Sequence, residues 1–257
     1  MIAVALLTLP SGAQETPLQA GLRLIEAGRA ADAAATLEQA VKQEPRNAAA
    51  WKALGVAYAA QSDYEMAELP FGRACELAPS LDDACYFHAR ALYALNRFEA
   101  SLERLSKAAR IDRRPARIHQ GRAQALDGLG RAAEAEAEFR RAIRLNGAAA
   151  PPDRIAPPLD PRLSFAAFLQ RQGRAEEAIA PLEQLLREHP GIAQAHLDLG
   201  RIELQRDRLD EAARHLERAV ALDSGSRAAH LLLGRVYLRL GRAAEAEPHL
   251  SAGTEPW

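Results

Sequence analysis

The sequence predicts an all-α protein, an α-solenoid of about seven stacked helical hairpins. No long strand-like run is present, alanine is abundant, and aromatic residues make up only 5% of the chain, which suits close packing of helix on helix. A pattern of small and large apolar residues also recurs, in most cases every 34 residues, as between Ala33, Ala67 and Ser101. Because a hairpin of this length cannot bury its apolar faces alone, we expect the hairpins to stack on one another.

The overall charge argues against two classes of partner. The 33 basic and 34 acidic residues nearly cancel, giving a formal net charge of -1. A balanced surface is a poor match for nucleic acid or an anionic membrane, and no apolar run approaches the length needed to cross a bilayer. We therefore expect no nucleic-acid partner and no membrane span.

Residues 1–13 are similar to the end of a secretory signal. Residues 2–9 are almost entirely apolar, and Ser11, Gly12 and Ala13 form a small-residue triplet of the kind that precedes cleavage. Cleavage after Ala13 would place the protein in the periplasm or outside the cell. The charged segment that normally precedes the apolar run is missing, so the alternative is an ordinary N-terminal arm, which would also fit a cytoplasmic protein.

Residues 51–79 contain the most complete hairpin. Their apolar residues recur at offsets of three, four and seven, which places them on single faces of two helices joined near residues 61–63. The first face holds Trp51, Leu54, Gly55 and Tyr58. The second face holds Ala67, Phe71 and Ala74, and Pro79 ends the second helix.

Equivalent positions, which we call slots, can be followed through the chain. The Ala67 slot recurs at Ala33, Ser101, Ala135, Ala178, Ala212 and Ala246, so residues 14–149 hold repeats 1–4 and residues 159–257 hold repeats 5–7. The Gly55 slot holds only small residues, which are Gly21, Ala89, Ala123, Ala166, Gly200 and Gly234. The Phe71 slot holds large ones, which are Leu37, Leu105, Phe139, Leu182, Leu216 and Leu250. We expect the small residues to face the large ones where two helices cross.

The hairpin at residues 51–79 matches the tetratricopeptide repeat at each of its defining slots, and 34 residues is the period of that family. The matching residues are Trp51, Leu54, Gly55, Tyr58, Ala67, Phe71, Ala74 and Pro79. The chain resembles a tetratricopeptide repeat protein from about residue 14 to its end, with a weaker third repeat. The resemblance implies a right-handed superhelix whose first helices line a concave groove. It also implies a protein-interaction function without chemistry of its own.

A proline-rich insertion separates the fourth and fifth repeats. The spacing between Ala135 and Ala178 is 43 residues rather than 34, and the extra residues fall at 150–158. A continuous helix is forbidden there by Pro151, Pro152, Pro157 and Pro158. Asp160 and Pro161 then fit the N-cap and the first position of a new helix. The insertion is either a tolerated loop, or a hinge or partner-contacting loop over the groove.

The sequence contains no motif that indicates an enzyme, a cofactor site or a metal site. Three histidines occupy the Trp51 slot, namely His119, His196 and His230. Stacking holds these about one repeat apart, which is too far for a shared metal ion. Three further histidines, His189, His215 and His249, are expected to form no ligand cluster. We therefore expect no catalytic residue, no cofactor and no bound metal.

Cys75 and Cys85 are the two cysteines of the chain, and they lie at the end of one helix and the start of the next. An antiparallel arrangement of those helices can bring them together. They are therefore either two small buried thiols or, in an oxidising compartment, a disulfide.

The resemblance places the groove on the face of the first helices opposite the Trp51 slot. The candidate protein-binding residues are Lys52, Tyr86, Phe87, Arg90, Tyr93, Gln120, Gln124, Arg201, Arg235 and Arg239. Aromatic residues can anchor a peptide, glutamines can pair with its backbone, and Arg201 and Arg235 can meet carboxylates. The alternative is that Tyr86, Phe87 and Tyr93 belong to the core between repeats.

Three functional classes follow from these residues. The leading one is a non-enzymatic scaffold or adaptor that binds a protein or peptide segment in the groove, in the cell envelope if residues 1–13 are a signal. The second is a self-associating structural unit that forms a homodimer through a C-terminal end face of Leu240, Leu250 and Trp257. The third is a regulatory or substrate-recruiting part of an enzyme complex.

Overall fold

The computed structural model describes residues 15–81, 83–110, 114–146 and 160–254. Within these ranges the chain forms fourteen α-helices, one short 3-10 turn and no strand, so the all-α prediction is confirmed. The expectations for residues 1–13, for the insertion at 150–158 and for Trp257 lie outside the described residues.

The chain divides into two compact units. The N-terminal unit comprises residues 1–113 and the C-terminal unit comprises residues 114–257. The division falls between the third and fourth repeats, whereas the sequence placed the interruption between the fourth and fifth.

The N-terminal unit contains three helical hairpins. Its helices are α1 (Pro17–Glu26), α2 (Ala30–Gln43), α3 (Ala48–Ala60), α4 (Tyr64–Leu77), α5 (Ala84–Ala94) and α6 (Phe98–Ala108). Side chains cap several of the helix N-termini. Thr16 and Gln19 form a capping box at α1, Asn47 accepts hydrogen bonds from the backbone of α3, and Asp63 does so at α4. These caps satisfy backbone N–H groups that have no partner inside the helix.

The C-terminal unit contains four hairpins. Its helices are α7 (Pro115–Gly128), α8 (Ala132–Leu145), α9 (Pro161–Arg171), α10 (Ile179–Glu188), α11 (Ala193–Gln205), α12 (Leu209–Leu222), α13 (Arg227–Arg239) and α14 (Ala243–Thr254). The 3-10 turn, Ala175–Ala178, leads directly into α10. Asp160 caps α9 by accepting a hydrogen bond from the Arg162 backbone, and Pro161 is the first residue of the helix, as the sequence predicted.

Every hairpin turns through one residue with a positive φ angle. These residues are Gly28, Ser62, Asn96, Gly130, Gly173, Asp207 and Gly241. A left-handed residue ends the first helix and lets the chain reverse within two or three residues. The recurrence of this turn in both units confirms the seven hairpins that the repeat pattern predicted.

The cores of both units are built from small residues that face large ones. A Cβ atom added to Gly55 would lie 2.6 Å from the ring of Phe71, and one added to Gly200 would lie 2.6 Å from Leu216. No side chain larger than a hydrogen atom fits there unless the facing residue moves. The predicted complementarity between the Gly55 and Phe71 slots is therefore confirmed, and it holds the two helices of a hairpin at close range.

Candidate interaction surface

The predicted aromatic cluster of the N-terminal unit is divided between core and surface. Tyr86 and Phe87 on α5 are only 6% and 5% exposed. The Phe87 ring stacks on Phe71 at a centroid distance of 5.6 Å and lies 5.7 Å from Tyr86. The expectation that these two side chains form an exposed anchor is thereby corrected. They fill the space between α4 and α5, because one face of α5 packs on α6, its partner in the hairpin, and the opposite face packs on α4.

Tyr93 and Arg90 are the exposed members of that cluster. Tyr93 is 38% exposed, and its ring lies 5.6 Å from Phe98 across the hairpin turn. Arg90 is exposed one helical turn earlier, whereas Lys52 on α3 is half-buried. In this unit the predicted groove residues therefore offer one arginine and one tyrosine to a partner.

Cys75 and Cys85 form a disulfide. The bond joins the end of α4 to the start of α5, with a Cα–Cα distance of 4.7 Å, and both residues are buried. It closes a segment of ten residues in which Asp83 has a φ angle of +79°. Of the two alternatives that the sequence left open, the structure has the cross-link.

In the C-terminal unit the predicted glutamines are part of the packing. Gln120 on α7 is buried, and its Nε2 donates a hydrogen bond of 2.7 Å to Ser164 Oγ on α9. Gln124, one turn later, is half-buried. Because the amide of Gln120 already joins two first helices, its availability for the backbone of a bound peptide is reduced.

Arg201 is also engaged within the C-terminal unit. Its Nη1 lies 3.3 Å from Asp198 Oδ1 on the same helix and 3.3 Å from Gln170 Oε1 on α9. Asp198 is buried, and this burial raises the pKa of its carboxyl group while the Arg201 charge opposes the rise. Arg201, which the sequence offered to the carboxylates of a partner, is therefore half-exposed and already faces a carboxylate of its own helix.

Three exposed residues lie in the C-terminal half of α13, and two of them, Arg235 and Arg239, are candidate binding residues from the sequence. Arg235, Leu238 and Arg239 are exposed, with Leu238 at 51%. Arg235 has no ion pair within the part of the chain that the structure describes, whereas Arg239 pairs with Asp207. Offsets of three and four residues place all three on one side of the helix. We call this set the α13 face, and it combines an apolar side chain with two cations.

The sequence reasoning missed a set of histidine contacts. His196 Nδ1 lies 3.2 Å from His215 Nδ1, and His230 Nδ1 lies 2.9 Å from His249 Nδ1. The sequence assigned no contact to His215 or His249, and each of them touches a histidine of the Trp51 slot. Both lie on second helices that cross the first helix of their own hairpin opposite the Trp51 slot. A recurring separation of 19 residues was the signal that could have revealed these pairs.

In the part of the chain that the structure describes, no group of three or more histidine, cysteine, aspartate or glutamate side chains is arranged to hold a metal ion. Among the helices of the described ranges, none combines the length and apolar character that crossing a bilayer requires.

The fold and the repeated slots define a class of protein, the α-solenoid of helical hairpins. A family profile described as tetratricopeptide repeat matches residues 18–82, 86–153 and 169–227, and a second profile with the same description matches residues 204–256. The chain therefore belongs to the tetratricopeptide repeat family. No curated protein sequence matches it significantly.

Solved structures resemble this fold at low sequence identity. A tetratricopeptide repeat protein from Parabacteroides merdae aligns with a TM-score of 0.67 and 17% identity, over 86% of this chain and 83% of that one. PilW, a type IV pilus biogenesis factor, aligns with a TM-score of 0.63 and 22% identity, over 80% and 92%. IFIT1, solved with Gppp-AAAA, aligns with a TM-score of 0.58 and 21% identity over 93% of this chain, which spans 59% of the IFIT1 chain. At these identities the similarity shows the fold alone.

Proposed function

We propose that this protein is a non-enzymatic interaction module that binds a segment of another protein on the α13 face. The observation that carries the proposal is the exposure of Arg235, Leu238 and Arg239 together on a first helix. Family membership supports it, because tetratricopeptide repeats generally mediate protein–protein interaction. The positions also coincide with those that the family resemblance assigns to the groove.

The chemistry of the α13 face indicates the kind of segment it would bind. Leu238 offers apolar area to a hydrophobic side chain, and the guanidinium groups of Arg235 and Arg239 match carboxylates. Arg239 must exchange Asp207 for a partner carboxylate, whereas Arg235 has no such competitor among the described residues. We therefore propose an acidic segment with at least one large apolar residue.

A location in the periplasm or outside the cell is part of the same proposal. The disulfide supports it, since such bonds persist in oxidising compartments and are rare in the cytosol. The signal-like character of residues 1–13 points in the same direction. A fractionation experiment on the native organism tests this, and recovery of the protein in the cytosol with both thiols free would contradict it.

Affinity enrichment from an extract of the native organism tests the binding proposal. We expect the wild-type chain to enrich a protein that the Arg235→Glu, Arg239→Glu double variant loses. The matched control is Arg187→Glu with Arg214→Glu, which makes the same charge change on exposed arginines of the second helices α10 and α12. Calorimetry with an acidic peptide from the enriched protein then gives the affinity. Equal binding by both double variants would remove the α13 face from consideration.

Self-association is a second candidate, because α4 exposes apolar residues on one side. Met66, Leu69 and Leu77 are all exposed large hydrophobic residues, and Leu69 is 63% exposed. The sequence instead suggested a homodimer through the C-terminal end face. That face is less exposed, since Leu240 and Leu250 are half-buried against the core of the last hairpins. Analytical ultracentrifugation tests this candidate. A concentration-dependent dimer that Leu69→Glu dissociates would favour it, and a monomer at all concentrations would exclude it.

A further inference from the structure

The two last hairpins of the C-terminal unit each contain a pair of histidines in direct contact. In the hairpin α11–α12 the pair is His196 and His215, and in the hairpin α13–α14 it is His230 and His249. We propose that each pair binds one divalent transition-metal ion through its two facing Nδ1 atoms, with Zn²⁺ as the ion of first choice. Solvent would complete the coordination sphere.

Backbone contacts determine which ring nitrogen carries the proton in the first histidine of each pair. His196 Nε2 lies 3.3 Å from the carbonyl oxygen of Pro190, and His230 Nε2 lies 3.2 Å from that of Ser224. A carbonyl oxygen only accepts hydrogen bonds, so Nε2 is the protonated nitrogen in each. In a neutral imidazole this leaves the lone pair on Nδ1, which is the atom that faces the second histidine.

The same backbone contact is present where the slot holds tryptophan. Trp51 Nε1 donates a hydrogen bond of 2.8 Å to the carbonyl oxygen of Pro45, again six residues earlier. The contact is therefore a feature of the repeat, and histidine satisfies it with Nε2 while placing a lone pair where tryptophan has none. A histidine that donates one N–H to a carbonyl and offers its other nitrogen is arranged as in most protein metal sites.

The separation of the facing nitrogens suits a shared ion. With Zn–N bonds of about 2.0–2.1 Å and tetrahedral angles, two nitrogen ligands stand about 3.3 Å apart. The observed Nδ1–Nδ1 distances are 3.2 and 2.9 Å, close to that separation, and both rings would have to turn so that their Nδ1 lone pairs converge on the ion. Without metal, one Nδ1–H donates to the other Nδ1. On binding, that proton moves through solvent to Nε2 of the same ring, so no net proton is released at neutral pH.

Packing alone does not require two imidazoles in these slots. The hairpin α7–α8 has His119 and Glu138 in them, with Nδ1 and Oε2 2.6 Å apart, and the hairpin α3–α4 has Trp51 and Pro70. Within the described residues, the double imidazole occurs in the two consecutive hairpins at the C-terminal end. Two nitrogen ligands and solvent make a weaker site than the three or four protein ligands of a structural zinc site. We therefore expect a reversible, exchangeable ion.

Calorimetric titration of the full chain with zinc chloride, in a non-coordinating buffer at neutral pH, tests the proposal. We expect two ions per chain for the wild type, one for His249→Gln, and none for the double variant His215→Gln, His249→Gln. The matched control is His189→Gln, which removes an exposed histidine outside both pairs and should still bind two ions. Unchanged stoichiometry in the double variant, or no binding by the wild type, would overturn the proposal.

Nuclear magnetic resonance of the histidine ring nitrogens keeps the test independent of variant folding. In the wild-type chain we expect added Zn²⁺ to shift the Nδ1 resonances of His196, His215, His230 and His249 and to leave those of His189 in place. Binding that shifts none of the four would show an adventitious site on surface carboxylates, and the proposal would then be wrong.

Discussion

Consecutive hairpins meet where α4 packs on α5 in the N-terminal unit and where α12 packs on α13 in the C-terminal unit. The two contacts have the same place in the repeat, but different side chains make them. The first is closed by the disulfide of Cys75 and Cys85 and by the stacked rings of Phe71 and Phe87. The second has no cross-link, and its buried Tyr237 instead donates a hydrogen bond of 2.8 Å to Glu217. The fold therefore tolerates covalent, aromatic and polar joints in equivalent places.

Both units retain the small–large contact within each hairpin, which explains this tolerance. Gly55 faces Phe71 in one unit and Gly200 faces Leu216 in the other at the same distance. Contacts within hairpins hold the repeat together, so the contacts between hairpins are free to vary. Between α4 and α5 the variable contact is a disulfide with an aromatic stack, and between α12 and α13 it is a hydrogen bond between two ionisable side chains.

The largest expected effect on stability comes from a substitution in the core of the C-terminal unit. Phe139 is fully buried in the C-terminal unit, where its ring lies 5.7 Å from Phe165 and 5.3 Å from Phe168. We expect Phe139→Ala to lower the free energy of unfolding by about 3–5 kcal/mol, because it removes a large ring and leaves a cavity. Hydrogen exchange read by mass spectrometry should show the loss of protection in the C-terminal unit first.

The exposed aromatic residue Tyr93 gives the control for that measurement. Tyr93→Ala should cost less than about 1 kcal/mol, since the side chain is already in contact with water. If Phe139→Ala lowered protection equally in both units, the units would unfold as one body, and the comparison between them would lose its meaning for stability.

Removing the disulfide is expected to have an intermediate effect, confined to the N-terminal unit. The bond closes a loop with a sequence separation of 10. Loop-closure entropy gives about 2–3 kcal/mol for a loop of that length. Cys75→Ala with Cys85→Ala should therefore destabilise the N-terminal unit by this amount in urea unfolding, and a reductant should do the same to the wild type. As a control, a reductant should have no effect on the double variant. An equal loss of stability in the C-terminal unit would contradict the expectation that the disulfide stabilises the N-terminal unit alone.

The contacts that could be predicted are those determined by side-chain volume and by the spacing of residues along the sequence. Ala67, Phe71 and Gly55 could be assigned to the hairpin core from sequence alone, because helical periodicity and side-chain volume decide such contacts. The positive φ angles at Gly28 and Gly130 follow from the same repeat. These features recur in every hairpin, so one template was enough to describe seven.

The candidate site could be predicted only in outline. The sequence placed Arg201 on a first helix, but its contacts with Asp198 and Gln170 depend on side-chain rotamers and on the crossing of α9 and α11. The burial of Tyr86 depends in the same way on how closely α4 approaches α5. Periodicity gives the direction of a side chain, whereas its partner is determined by the neighbouring helix.

Apart from the Tyr93 control, the smallest expected effect concerns His88, which stands in the N-terminal unit where the template hairpin has Leu54. Burial is the main cause that lowers the pKa of His88 from 6.5 to about 4, and Arg104 adds to the shift. Lys107 acts in the same sense, while Glu68 and Glu76 oppose it. In the folded chain His88 Nδ1 has no hydrogen-bond partner among the described residues.

This lowered pKa makes the N-terminal unit sensitive to acid. His88 takes up a proton near pH 6.5 in the unfolded chain and only near pH 4 in the folded chain. Its neutral form therefore contributes fully to the stability of the fold above pH 6.5, and this contribution is lost as the pH falls from 6.5 to 4. At about pH 5 the loss should be about 1–2 kcal/mol. His88→Leu restores the residue of the template slot and should abolish this dependence in urea unfolding at neutral pH and at about pH 5. If the variant kept the full slope, another group would be responsible. If the dependence of stability on pH disappeared only in the N-terminal unit, the acid sensitivity of that unit would be due to its single histidine. The paired histidines of the C-terminal unit would then have no part in it.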